Sequence, residues 1–222
     1  MLNDIEAIIF DIDGTIADSM GVWTEIDDLF LKKYGLTEPE NFHEGMEGKS
    51  YSETAEYFLD LFPTLTHTRE ELEQEWFHMA YDIYKHELEL KSGVYEFICA
   101  MKKQGMKLGV ATSNNRELAE VLLKAHGVFE KLDAMWTASE AGAGKPAPDV
   151  YLRVAEDLGV SPDRCLVFED VPMGILAGKN AGMKVCAVED WFSKNQEEKK
   201  REFADYYIQD YNDIKNKTYE VL

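Results

Sequence analysis

Phe10-Asp11-Ile12-Asp13-Gly14-Thr15-Ile16-Ala17-Asp18-Ser19 follows an apolar run, Ile5 to Phe10, that only Glu6 interrupts. Such a run reads as a strand buried on both faces of a parallel sheet. Two carboxylates, Asp11 and Asp13, then stand one residue apart where the strand ends, and open α/β sheets gather ligands at the carboxyl ends of their strands. Residues i and i+2 share a side of an ideal strand. Gly14 lets the backbone turn away sharply, and Thr15 can return a hydroxyl to the loop. Paired acids in that place suit a divalent cation, or one nucleophile beside one proton carrier. An acidic turn that caps a helix is the alternative, since Asp and Thr also favour caps.

Outward from this stretch, strand-like segments recur at residues 107–112, 134–137, 165–168, 184–188 and 206–209. The stretches 94–104, 117–125, 149–158 and 174–181 read as helices, and Gly105, Gly127, Gly159 and Gly182 follow their ends as stops. Strand and helix in alternation predict an α/β fold, a Rossmann-like parallel sheet with helices on both faces. The rhythm breaks once. The first and second strands are separated by far more chain than one crossover helix needs. From about Met20 to Leu90 that chain reads as helices rich in aromatics and acids, with Leu72, Trp76, Met79, Ile83 and Tyr84 approximating a helical stripe. The expected division is a core domain from 1–19 and 91–222 and an inserted α-helical cap over 20–90, with an extra helical layer on the sheet as the alternative. An insertion directly after the site-bearing strand suits a mobile lid. Glu197 to Glu202 reads as a solvated, charge-dense helix face.

Within 222 residues the chain can bury a sizeable core, and 45% hydrophobic with 12% aromatic residues belongs to an ordered globular protein. The formal net charge of −20 argues against nucleic acid or an anionic membrane as partner. An anionic substrate would then need local positive charge from a metal or a well-placed lysine. Cys99, Cys165 and Cys186 are odd in number and widely spaced, which favours free thiols in a reducing compartment. The N-terminal stretch lacks the basic region of a signal peptide, and no apolar run reaches spanning length, so the expectation is a cytoplasmic protein.

Three further strand ends carry chemistry. Thr112-Ser113-Asn114 brings hydroxyls, an amide and backbone N–H groups into a strand-to-helix turn that suits phosphate oxygens, or equally a plain helix cap. In Gly144-Lys145-Pro146-Ala147-Pro148-Asp149 the prolines hold the chain ahead of a helix, and Lys145 can reach the sheet's edge to neutralise a phosphoryl group. Leu166-Val167-Phe168-Glu169-Asp170 ends an apolar strand with two acids that would complete an oxygen shell for magnesium together with Asp11. Each turn alone has an ordinary explanation; together they converge on one edge.

Asp11-Ile12-Asp13-Gly14-Thr15, Thr112, Lys145-Pro146 and Glu169-Asp170 occur in the order and strand context of the haloacid dehalogenase-like superfamily. The chain resembles its branch with a helical cap after the first strand, the β-phosphoglucomutase-like phosphatases. The match runs over nearly the whole core; the inserted segment matches in position and character, less in its residues. The resemblance implies that Asp11 attacks phosphorus to form an aspartyl-phosphate and that Asp13 protonates the leaving oxygen, then takes a proton from water. It implies that Thr112, Ser113 and Asn114 hold phosphoryl oxygens and that Lys145 neutralises charge and steadies Asp11. Mg2+ would bind Asp11, the backbone carbonyl of Asp13, and Asp170, with Glu169 near or in its shell.

Departures from the pattern narrow the function. Asp13 is the second acid that haloacid dehalogenases proper lack, which argues against carbon–halogen cleavage. Trp23 and Tyr51 stand where sugar phosphomutases of this branch carry a cap histidine and a cap arginine, with Lys49 nearby as a substitute cation. These changes favour hydrolysis of a small phosphorylated metabolite, a sugar phosphate among the candidates, over a phosphomutase. A phospho-accepting receiver domain is the non-enzymatic alternative, but it has no use for Asp13 or for a helical lid of this size. One capped domain needs no partner to close its site, so a monomer suffices.

Overall fold

Ala7–Phe10 forms β1, and all four residues are buried. Ile8 and Phe10 pack into the hydrophobic layer on one face of the sheet, Ala7 and Ile9 into the layer on the other. That is the period of two expected of a strand covered on both sides. The computed structural model describes residues 1–40 and 42–222. After β1 come α1 (Met20–Tyr34), α2 (Phe42–Met46), α3 (Tyr51–Leu61) and α4 (Arg69–His86). The chain continues through α5 (Val94–Lys103), β2 (Lys107–Thr112), α6 (Arg116–Ala125), β3 (Ala134–Thr137), α7 (Ala138–Ala141) and α8 (Asp149–Leu158). It ends with β4 (Cys165–Glu169), α9 (Pro172–Asn180), β5 (Lys184–Val188), α10 (Glu197–Phe203), β6 (Tyr206–Ile208), α11 (Asn212–Asn216) and β7 (Glu220–Val221).

Among the described residues the strands form one sheet in the order β3-β2-β1-β4-β5-β6-β7. The pairings from β3 to β6 are parallel, and only β7 runs antiparallel, against β6. The 3-2-1-4-5-6 order is Rossmann-like, and strand order reverses at β1, so the carboxyl ends of β1, β2 and β4 open the crevice where such folds bind ligands. The expected Rossmann-like parallel sheet is present from β3 to β6, and at one edge the exposed pair Glu220–Val221 adds a short antiparallel strand. Two residues carry too little pattern to be read as a strand. Helix α8 comes so close to β2 that a Cβ on Gly109 would meet Val154 Cγ1 at 2.3 Å, which is why that buried strand carries a glycine.

The helices over 20–90 make their own aromatic packing. In α4 the buried residues are Leu72, Trp76, Ala80 and Tyr84, at strict i+4 spacing, while Met79 and Ile83 are half-buried. Phe58 and Trp76 meet edge to face at 4.9 Å, and Phe30 joins them. Capping boxes start α3 at Ser50/Glu53 and α4 at Thr68/Glu71, satisfying two orphan N–H groups at each. The two connections to the sheet lie side by side: the Asp18 amide donates to the Glu89 carbonyl at 3.0 Å, and the Lys91 amide donates to the Ile16 carbonyl at 2.8 Å.

Helix α10 departs from the expected solvated face. Lys200 is fully buried, and its Nζ donates to the Val188 carbonyl and to Ser193 Oγ, each at 3.0 Å. Burial lowers its pKa, while Asp170 and Asp190 pull the other way. Those acids attract a cation inward, and the long aliphatic stem of lysine spans the distance.

Candidate active site

Asp11 follows β1 directly and is 6% exposed. Its Oδ1 accepts from Lys145 Nζ at 2.6 Å, and the same ammonium donates to Glu169 Oε1. Tyr151 donates to that Glu169 oxygen at 2.8 Å, while Glu169 Oε2 takes the amides of Asp170 and Val171. Burial alone would drive the Lys145 ammonium down, yet Asp11 and Glu169 hold it above its ordinary value. Burial pushes the Asp11 carboxyl up; Lys145 opposes this, and Glu169 and Asp13 reinforce it. Asp170 is raised well above the usual carboxylate range by burial, then by Glu169 and Asp11.

One buried lysine thus pairs with two of three neighbouring buried acids. Carboxylate oxygens of Asp11, Glu169 and Asp170 lie within 4.8 Å of one another. Asp170 Oδ1 accepts from Thr15 Oγ1 at 3.0 Å, but its buried Oδ2 has no partner. Gly14, at φ +81°, makes room for this oxygen: a Cβ there would come within 2.2 Å of it. An all-oxygen donor set short of positive charge fits a hard divalent cation of the magnesium class.

Asp13 points elsewhere. Its Oδ1 accepts from Ser19 Oγ at 2.6 Å and from the Tyr84 hydroxyl; its Oδ2 accepts from Asn114 Nδ2 at 2.8 Å. Tyr84 is fully buried on α4, and its oxygen also accepts from Trp23 Nε1 at 2.7 Å and Asn114 Nδ2 at 2.9 Å. Burial first, then Asp13, raises the Tyr84 phenol well above its ordinary pKa, so it stays a donor. Two neighbouring carboxylates therefore sit in unlike surroundings. One is tied to a cation among acids, the other to three neutral donors.

A cavity of about 470 Å³ opens over both acids and runs into the helices of 20–90. Ser113, Asn114, Lys145, Glu169 and Asp170 line it on the sheet side. Thr112 lies beneath, fully buried, with its hydroxyl oxygen accepting the Asn114 amide at 3.1 Å. The Ser113 carbonyl takes the Tyr51 amide at 2.9 Å, tying the helical segment to the end of β2.

Residues 8–188 match the family model described as haloacid dehalogenase-like hydrolase. The chain belongs to this family. It is 32% identical over 187 residues to "Putative phosphatase YhcW" of Bacillus subtilis, covering 83% of each chain. It is 28% identical over 183 residues to the phosphorylated carbohydrates phosphatase of Thermotoga maritima, covering 81% of this chain and 83% of that one. The solved β-phosphoglucomutase of Clostridium difficile shares the fold, with a TM-score of 0.77, 22% identity and 96% of each chain covered.

In this haloacid dehalogenase-like chain every residue singled out from the sequence, Asp11, Asp13, Thr112, Ser113, Asn114, Lys145, Glu169 and Asp170, lies at the carboxyl end of the sheet. The Asn114 amide nitrogen donates to Asp13 and Tyr84, and its Oδ1 accepts the Asn115 amide at 2.6 Å. Trp23, Lys49 and Tyr51 line the cleft, and of the three only Lys49 carries charge. The Lys49 ammonium stands 5.5 Å over the Tyr57 ring, and the Tyr51 hydroxyl donates to the Glu73 carbonyl. Tyr84 and Tyr151 escaped the sequence reading because each sits in an apolar helical stripe and counts there as core; their hydroxyls show their use only in three dimensions.

Proposed function

We propose that the chain is a phosphoric monoester hydrolase, a magnesium-dependent phosphatase that cleaves a small phosphorylated metabolite through an aspartyl-phosphate on Asp11. The observation that carries this is the contrast between Asp11 on Lys145 and Asp13 on Ser19, Tyr84 and Asn114. In the first step an Asp11 carboxylate oxygen bonds to phosphorus while the ester P–O bond breaks, and Asp13 gives its proton to the departing alkoxide. In the second, Asp13 takes a proton from water as the water oxygen bonds to phosphorus; the aspartyl P–O bond breaks and phosphate leaves. Lys145 steadies Asp11 and offsets the incoming charge, and Ser113, lining the cleft above the buried Thr112, offers its hydroxyl to phosphoryl oxygens. Asp11, Asp170 and the Asp13 carbonyl would hold Mg2+, with Glu169 orienting Lys145 behind them; bound there, the ion would neutralise phosphoryl charge.

Hydrolysis is favoured over transfer to a second hydroxyl because Trp23 is committed to Tyr84 and the Lys49 ammonium stands over the Tyr57 ring, not in the histidine and arginine places of the phosphomutases. A sugar phosphate fits the reading, in keeping with the Thermotoga maritima relative's name. The free thiols of Cys99, Cys165 and Cys186 support a reducing, cytoplasmic setting for the activity. The test is phosphate release from an aryl phosphate with Mg2+: Asp11→Asn abolishes it, and equal turnover by that variant removes the nucleophile. Asp13→Asn still forms phosphoenzyme from an activated ester but breaks it down slowly; unaltered turnover removes its acid–base role.

A further inference from the structure

The side of the cleft lined by the helices of 20–90 has a chemistry of its own. Trp23, Tyr51 and Trp76 form an edge-to-face wall, with centroids 6.1 Å and 5.9 Å apart along the series. Polar groups among them lack partners. Trp76 is 3% exposed, and its Nε1–H has no acceptor; Thr24 Oγ1 and Glu47 Oε1 are likewise unpaired. Asp27 also lines the cleft, with His43 as its nearest cation at 3.8 Å. His43 is shared with Glu38 at the same distance.

Buried polar groups left unpaired in this way call for a ligand that both donates and accepts. An ammonium group would satisfy the carboxylates but offers nothing to the indole N–H or to a donating Thr24 hydroxyl. Sugar-like hydroxyls satisfy all four, and aromatic faces suit the C–H side of such a ring. A second phosphate or a carboxylate would instead meet Asp27 and Glu47, with His43 already shared between Asp27 and Glu38 and the Lys49 ammonium held over the Tyr57 ring, in a partly closed cleft where like charges repel strongly. Resting on the phosphatase reading above, we propose that this pocket selects a monophosphate ester of an uncharged polyhydroxy alcohol, and that Asp27 and Glu47 reject leaving groups bearing a further anion. The selection also disfavours a bisphosphate, the species through which a phosphomutase must pass.

The experiment compares a hexose monophosphate with a hexose bisphosphate and with phosphoglycolate, using p-nitrophenyl phosphate as the reference ester. We expect kcat/KM for the hexose monophosphate to exceed both anionic competitors by about 100-fold or more. Asp27→Asn with Glu47→Gln should narrow that ratio by at least about tenfold, chiefly through KM for the competitors. Equal turnover of the bisphosphate by the wild-type chain, or an unchanged ratio in the double variant, overturns the proposal. Calorimetric binding of the three esters to Asp11→Asn reads the preference without turnover. Absence of hydrolysis of every ester with the binding preference intact would sink the phosphatase reading alone; equal binding of all three sinks the pocket's selectivity whatever the turnover.

Discussion

Replacing Asp27 by Asn removes a carboxyl that the fold accommodates at a loss. The side chain is 14% exposed, and its closest opposite charge is a histidine at 3.8 Å. Burial, then Asp28 and Glu38, push it from 3.8 up to about 7. An unfolded chain releases this proton near 3.8, whereas the native chain holds it to about 7. As pH rises through that window the native state binds more proton than the unfolded state, so stability falls, by about 1.4 kcal/mol per unit. The accumulated loss is about 1.5 kcal/mol at pH 5 and levels off near a ceiling of about 4 kcal/mol above pH 7. Asp27→Asn keeps the shape of the neutral acid and does not titrate. Its stability relative to wild type should therefore grow from pH 5 to pH 8 and then stay flat. Urea midpoints in metal-free buffer at four pH values measure this. A gain independent of pH, or a loss at pH 8, refutes the reasoning, because either requires an Asp27 that ionises as readily folded as unfolded.

Tyr84→Phe deprives Asp13 of one donor and Trp23 Nε1 of its acceptor; we expect about 1–3 kcal/mol of destabilisation and a drop in kcat of about tenfold with KM little changed, read by steady-state kinetics on an aryl phosphate. Lys145→Met leaves Asp11 and Glu169 without their shared cation. It should lose turnover and about 3–5 kcal/mol of stability without metal, with Mg2+ restoring part of the stability in a thermal melt. Gly14→Ala must both abandon φ +81° and displace Asp170 Oδ2 from 2.2 Å. A Mg2+ titration followed by thermal shift should show affinity at least about tenfold weaker, and unchanged affinity would remove Asp170 from the metal site.

The sheet and its edge could be read from the chain because they follow short-range rules. Apolar runs ending in Asp11, Thr112 and Glu169 mark strands, and glycines mark the stops between helices. The convergence of Asp11, Lys145, Glu169 and Asp170 follows from parallel topology alone, since every strand of such a sheet presents its carboxyl end to the same side. What could not be read depends on side-chain direction. Lys200 lies in a run of charge, and only the acids beneath α10 draw it inward. Asp11 and Asp13 look like a matched pair, yet the backbone leaves the strand after Phe10 and turns at Gly14, so the two carboxyls find different partners. Thr24, Asp27 and Glu47 have no periodic signature, and the packing of the helices alone gathers them around Trp76.

The net charge of −20 poses a question that the geometry resolves at the scale of single side chains. Phosphate recognition needs positive charge only where the phosphoryl group sits, and there the fold concentrates Lys145 within a set of acids that suits a divalent ion. The same cleft also carries Asp27 and Glu47, with Lys49 over the Tyr57 ring. A substrate that is anionic at one end and uncharged at the other matches this polarity; one anionic at both ends must set its second charge against two carboxylates. On the proposed selectivity, the acidity that opposes an anionic substrate acts as a filter: it admits one phosphate and disfavours two. The raised Asp27 carboxyl is where the fold bears the cost of that filter, so the loss of stability with pH and the rejection of a second anion trace to the same side chain. Asp27→Asn should move them together, gaining stability at pH 8 while admitting the bisphosphate.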